Sequence, residues 1–168
     1  MSELREFHPD RILEILIRHE VRFILVGGVA AQAHGSPSLT GALDICYARD
    51  PDNLDRLAAS LAELSAVPRG LTADSPRMPP LDARTPRAGG LFTLTTRYGD
   101  FDILATPEPG FDYQLLRDHA VTTVIHGAPV HIASLSDLIE MKRAAGRPKD
   151  RIELEILGAL REELDRRN

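Results

Sequence analysis

The sequence predicts a single α/β domain in which short strands alternate with helices, and three observations carry that expectation. Its 168 residues suffice for one hydrophobic core and not comfortably for two. Apolar residues recur at helical spacing in some stretches and as short β-rich runs in others. Glycine and proline stand between those stretches, where a chain must turn. Hydrophobic residues at 43 % and charged residues at 27 % match an ordinary soluble protein, not a disordered or fibrous one.

In chain order, Ile12, Leu13, Ile15, Leu16 and Ile17 predict a helix over residues 9–19, with Asp10 in the first turn where it favours the helix dipole. Residues 21–26 form a short β-rich run ending at Gly27-Gly28, and a short helix over 29–33 is stopped by Gly35 and Pro37. A second strand covers 43–48, and Pro51 opens a helix over 53–64. From 67 to 90, Pro68, Pro76, Pro79, Pro80 and Pro86 exclude a continuous helix or central strand. That segment reads as a long irregular loop, either substrate-facing through Arg69, Arg77, Arg84 and Arg87 or merely an exposed excursion. Runs 91–97 and 101–104, separated by Tyr98-Gly99-Asp100, predict a hairpin; 120–125 and 130–132, separated by His126-Gly127-Ala128-Pro129, predict another. Helices are expected over 135–145 and 148–164, so that a core of about 9–134 is followed by C-terminal helices of about 135–165 within one domain, 1–168. No internal repeat is present.

Net charge is −5, which does not advertise a general polyanion binder, so a nucleic acid or nucleotide must meet a local patch. Lys142, Arg143, Arg147, Lys149 and Arg151, opposed mainly by Glu140 and Asp150, supply a candidate, although a solvated helix end has the same composition. A single cysteine, Cys46, excludes an intrachain disulfide and points to the reducing cytoplasm. Met1 to Arg5 carry mixed charges and lead into an amphipathic stretch, so no signal peptide or membrane span is expected there.

Chemistry concentrates in three places. Gly27-Gly28, between a strand and a helix, can turn backbone N–H groups toward a phosphate, or serve only as a tight connection. The spaced glycines of a dinucleotide fingerprint and a glycine-rich loop ending in Lys-Ser or Lys-Thr are both missing. In Thr40-Gly41-Ala42-Leu43-Asp44-Ile45 and Gly99-Asp100-Phe101-Asp102-Ile103-Leu104, strand alternation puts Asp44 and Asp102 opposite their apolar neighbours. Two carboxylates sharing a sheet face can seat a nucleotide-bound Mg²⁺, which takes one or two carboxylates and leaves its other positions to water and phosphate. Either aspartate alone reads as well as a turn-adjacent acid. His34 is expected to pack, Cys46 to fill a strand position, and Ser38 and Thr40 either to reach phosphate or to cap local backbone.

Val26-Gly27-Gly28, then Thr40-Gly41-Ala42-Leu43-Asp44, then Asp102, then the stretch from Leu138 to Asp150, together resemble the DNA polymerase beta-like nucleotidyltransferase superfamily, and within it the minimal AbiEii and MenT toxin-like enzymes. The resemblance implies a mixed β-sheet flanked by helices and a nucleoside triphosphate held over Gly27 and Gly28, with Thr40, Lys142, Arg147, Lys149 and Asp150 as further binding residues, Asp150 orienting one of the basic groups. It implies Mg²⁺ on three carboxylates, two of them matched by Asp44 and Asp102. The third belongs two residues before Asp44, where this chain has Ala42. Ala42 admits three readings: an engineered inactive variant, favoured by the intactness of every other element, a naturally degenerate protein, or a site using another acid such as Asp100. By the same resemblance the acceptor is the 3′ end of tRNA or a small-molecule hydroxyl, and the partner of a tRNA-modifying toxin is a cognate antitoxin. The alternative is a non-catalytic nucleotide- or partner-binding regulatory module, for which Ala42 is the best support.

Overall fold

The computed structural model describes residues 6–71, 81–125 and 127–167. Expectations placed on residues 1–5, on 72–80 with Arg77, Pro76, Pro79 and Pro80, and on His126 lie outside them.

Helix α1 (Pro9–Arg18) starts at a proline, whose missing N–H costs nothing in a first turn, and buries Ile12, Leu13, Ile15 and Leu16. Strand β1 (Phe23–Val26) follows and is buried along its whole length. Helix α2 (Gly27–Ala33) begins at the glycine pair itself, and β2 (Ala42–Tyr47) returns beside β1. Helix α3 (Pro51–Glu63) packs on α1, where Glu63 accepts from both Arg18 and His19 and is held well below the usual carboxylate range, to about 2. Residues 67–90 are not one continuous loop. Val67–Pro68 forms a two-residue strand, β3, and Arg84–Arg87 one helical turn, α4. Pro68 is tolerated because β3 sits at the sheet edge, where a residue without an N–H leaves no ladder bond unmade.

Strands β4 (Leu91–Thr96) and β5 (Gly99–Leu104) form the expected hairpin, but its turn is Arg97-Tyr98 and not Tyr98-Gly99-Asp100. Gly99 pairs with Thr96 at a φ of 111°, closing the hairpin early enough to place Asp100 in the strand. Helix α5 (Tyr113–His119), which the apolar pattern does not announce, is capped by Asp112 accepting from the Leu115 N–H. The chain continues through β6 (Val121–Ile125), β7 (Ala128–Ile132), α6 (Leu135–Ala145) and α7 (Pro148–Arg167). Ser134 caps the start of α6, and Gly146 ends it in the left-handed conformation.

The seven strands make one mixed sheet in the order β3-β4-β5-β2-β1-β7-β6, flanked by helices as expected. Its centre, β5-β2-β1, combines a parallel and an antiparallel pair. Leu43, Ile45, Phe101 and Ile103 join residues of α1 and α3 in the main core, while Ala31, Ile139 and Leu157 tie α2, α6 and α7 in a smaller cluster. No helix among the described residues is long and apolar enough to cross a membrane.

Candidate functional site

Strands β2 and β5 run parallel in a register that sets Asp44 beside Asp102 and Ala42 beside Asp100. Since Leu43, Ile45, Phe101 and Ile103 are buried in the main core, alternation turns both aspartates of the first pair to the opposite face. The Gly27-Gly28 turn runs hard against that face. A Cβ on Gly27 would lie 2.0 Å from Asp44 Oδ2, and Gly27 holds a φ of 69°; a Cβ on Gly28 would lie 2.6 Å from Thr40 Oγ1. Both positions therefore require glycine for close approach, and the first also for its backbone conformation. Thr40 Oγ1 donates to the Ala42 carbonyl at 3.2 Å. His34 bonds the Ala133 carbonyl through Nε2 at 2.8 Å, linking α2 to the segment before α6.

On the other side stand α6 and α7. Lys142 Nζ donates to Asp150 Oδ1 at 3.2 Å, and Arg147 donates to Asp150 Oδ2 through Nε at 2.8 Å and through its backbone N–H at 3.1 Å. Asp150 is fully buried, and these donors, Arg147 foremost, hold its carboxyl down at about 2. A carboxyl depressed from an unfolded value near 3.8 stabilises the folded state fully above that value and loses the contribution as pH falls through about 2. Asp150→Ala is therefore expected to cost about 2 kcal/mol near neutral pH. Thermal melting should show a deficit that shrinks between about pH 4 and pH 2; equal melting points at neutral pH would remove Asp150 from this role.

A cleft of 550 Å³ opens between these two walls. Gly27, Gly28, Thr40, Asp44, Asp102, Lys142, Arg147, Lys149 and Asp150 all line it, so residues scattered over more than a hundred positions of sequence meet in one place. Ala42 is not among the lining residues, although Gly41 before it and Asp44 after it are. Leu39, Leu91, Leu104, Pro107 and Glu108 also face the cleft, and no local pattern in the sequence marks them.

Burial pushes the Asp44 carboxyl up to about 7, with the Asp102 carboxylate beside it adding to the rise and Lys142 and Arg69 opposing it. Two hard-oxygen ligands that repel each other in a partly desolvated floor fit one divalent cation completed by water and phosphate. Among the described residues no three His, Cys, Asp or Glu side chains come together to hold a metal. Asp100, the register partner of Ala42, is engaged by its own neighbours: its carboxylate accepts from Thr95 Oγ1 at 3.2 Å and lies 3.4 Å from Arg69 Nε. Arg69 also donates through Nη2 to Asp102 Oδ1 and to the Leu94 carbonyl.

The mixed sheet flanked by helices matches the fold of solved nucleotidyltransferases. The lincosamide antibiotic adenylyltransferase LnuA, solved with lincomycin bound, superimposes with a TM-score of 0.60 at 14 % identity over 93 % of this chain and 99 % of its own. A Thermotoga maritima protein described as a candidate nucleotidyltransferase follows with a TM-score of 0.54 at 16 % identity, covering 99 % of each chain. The antibiotic-resistance factor ANT(2'')-Ia gives 0.52 at 13 % identity over 95 % of this chain and 92 % of its own. No protein-family model matches the sequence, and no curated protein matches it by sequence.

Proposed function

We propose that this fold carries Mg²⁺-dependent transfer of a nucleoside monophosphate from a nucleoside triphosphate to an acceptor hydroxyl, with release of pyrophosphate. The observation that supports it is the register of Asp44 with Asp102 on the floor of a cleft, between a glycine turn and a basic wall. Bound there, Mg²⁺ would neutralise the phosphate oxygens and lower the barrier to in-line attack on the α-phosphorus. Asp44 and Asp102 would hold the ion. Gly27 and Gly28, lacking side chains, let the turn lie against Asp44 and Thr40 and border the cleft with backbone that can face the triphosphate, while Lys142, Arg147 and Lys149 offset the charge that develops on pyrophosphate as it leaves. Asp150 keeps Lys142 and Arg147 aimed across the cleft. Ala42 leaves the carboxylate set one acid short, so the unchanged chain binds nucleotide and transfers it poorly.

For the acceptor, the resemblance to AbiEii and MenT-like toxins supports the 3′ end of tRNA in the cytoplasm, and hence a toxin neutralised by a cognate antitoxin. A small-molecule hydroxyl is the second reading. It is favoured by the lining residues Leu91, Leu104, Pro107 and Glu108, which offer the cleft apolar and acidic rather than basic surface, and by the lincomycin-bound adenylyltransferase of the same fold. The test incubates the Ala42→Asp protein with each labelled nucleoside triphosphate and Mg²⁺, in the presence of total tRNA or of a panel of hydroxylated antibiotics. Label on RNA supports the toxin reading, and label on an antibiotic supports the second. Transfer to neither by a folded Ala42→Asp protein that still binds nucleotide supports the non-catalytic module.

A further inference from the structure

The carboxylates of the cleft floor have a built-in cation. Arg69 follows the edge strand β3 directly; its backbone N–H continues the pairing to the Thr93 carbonyl at 2.9 Å, which carries its side chain across β4 toward β5. There the guanidinium meets three groups: Asp102 Oδ1 at 2.5 Å, the Leu94 carbonyl at 3.1 Å and Asp100 Oδ2 at 3.4 Å. One of the three is an uncharged backbone carbonyl, whose hold on Arg69 does not depend on the state of either carboxylate. A planar fork fixed at several points loses little further freedom on staying where it is. Ala42, opposite Asp100 in the register, adds no fourth acid on this side.

We propose that Arg69 is a positioning residue and resident counter-ion of the cleft floor, which occupies one oxygen of Asp102, neutralises Asp100, and so restricts the site to a single divalent cation held between Asp44 and Asp102. In two-cation phosphoryl-transfer sites the second positive charge is a second metal ion; here a side chain supplies it. The inference rests on the cation reading proposed above and adds to it a stoichiometry and a residue.

Counting bound Mn²⁺ by electron paramagnetic resonance, with a non-hydrolysable nucleoside triphosphate analogue present, tests it on the full chain. The unchanged protein and Arg69→Lys should each bind one Mn²⁺. Arg69→Met, which keeps length and removes charge, should bind its first Mn²⁺ about tenfold more tightly, because a repelling charge is gone, and should take up a second ion. A merely structural role for Arg69 gives the opposite sign, since a loosened Asp102 would weaken the first ion. Weakened or unchanged binding in Arg69→Met therefore overturns the proposal. So do two ions in the unchanged chain, a measurement that needs no variant to fold. Retention of the analogue with no Mn²⁺ in any of the three proteins overturns the cation reading itself, and this inference with it.

Discussion

Replacing Ala42 with aspartate is expected to raise nucleotidyl transfer by about a hundredfold or more, the scale of the loss when one preorganised transition-state-stabilising group is removed. The position is set by the strand. Ala42 precedes Asp44 by one strand period and lies beside Asp100 in register, so the new carboxylate would emerge on the same face as Asp44 and Asp102. It would also enter a region that already holds three aspartates and one arginine. The Ala42→Asp protein should therefore melt lower than the unchanged chain in a chelator and recover with Mg²⁺, as ligand binding to the folded state requires. Adding Asp102→Asn should return transfer to the level of the unchanged chain, since it removes a ligand at constant size. A toxin predicts in addition that Ala42→Asp arrests host growth and that the added Asp102→Asn rescues it. Transfer by a folded Ala42→Asp protein no faster than by the unchanged chain would show that Ala42 is not where the missing acid belongs.

Gly27→Ala should have the second largest effect. Its φ of 69° lies in the left-handed region, which costs an alanine about 1–2 kcal/mol. The added Cβ, 2.0 Å from Asp44 Oδ2, must in addition move the carboxylate or the turn. Affinity for a nucleoside triphosphate with Mg²⁺ is expected to fall at least tenfold, roughly 1.4 kcal/mol, with a lowering of the melting point by about 2–8 °C. Gly158→Ala is the control: nothing lies within 4 Å of the Cβ it would carry, its backbone is not left-handed, and it does not line the cleft. It should leave nucleotide affinity unchanged and should not lower the melting point. Equal nucleotide affinity in the two variants would detach the glycine turn from the carboxylate floor.

Asp44 and Asp102 were legible in the sequence because each stands between apolar neighbours in a strand, and a period of two separates the faces without knowledge of the partner strand. Their pairing was not legible from that pattern, since register between strands 58 positions apart is a tertiary property. Asp100 was misread as a turn residue because Gly-Asp is a common turn signal, whereas Arg97-Tyr98 turns the chain and Gly99 serves the strand. Arg69 was legible only as one of several loop arginines; a two-residue edge strand containing proline is too short to show any periodicity, and its contact with Asp102 spans two neighbouring strands. Helix α5 escaped for a similar reason. In seven residues only Leu116 is buried, and the Asp112 cap is its one local mark.

The cleft between the glycine turn and the α6–α7 wall is proposed to bind a nucleoside triphosphate through a cation held by Asp44 and Asp102. Calorimetric titration of the unchanged chain with each nucleoside triphosphate, with and without Mg²⁺, tests it most directly, beside Asp44→Asn. The expected result is binding of at least one nucleotide that strengthens with Mg²⁺ in the unchanged chain and gains little from it in Asp44→Asn. Binding indifferent to Mg²⁺ and to Asp44, or no binding of any nucleotide by the folded chain, would contradict the account.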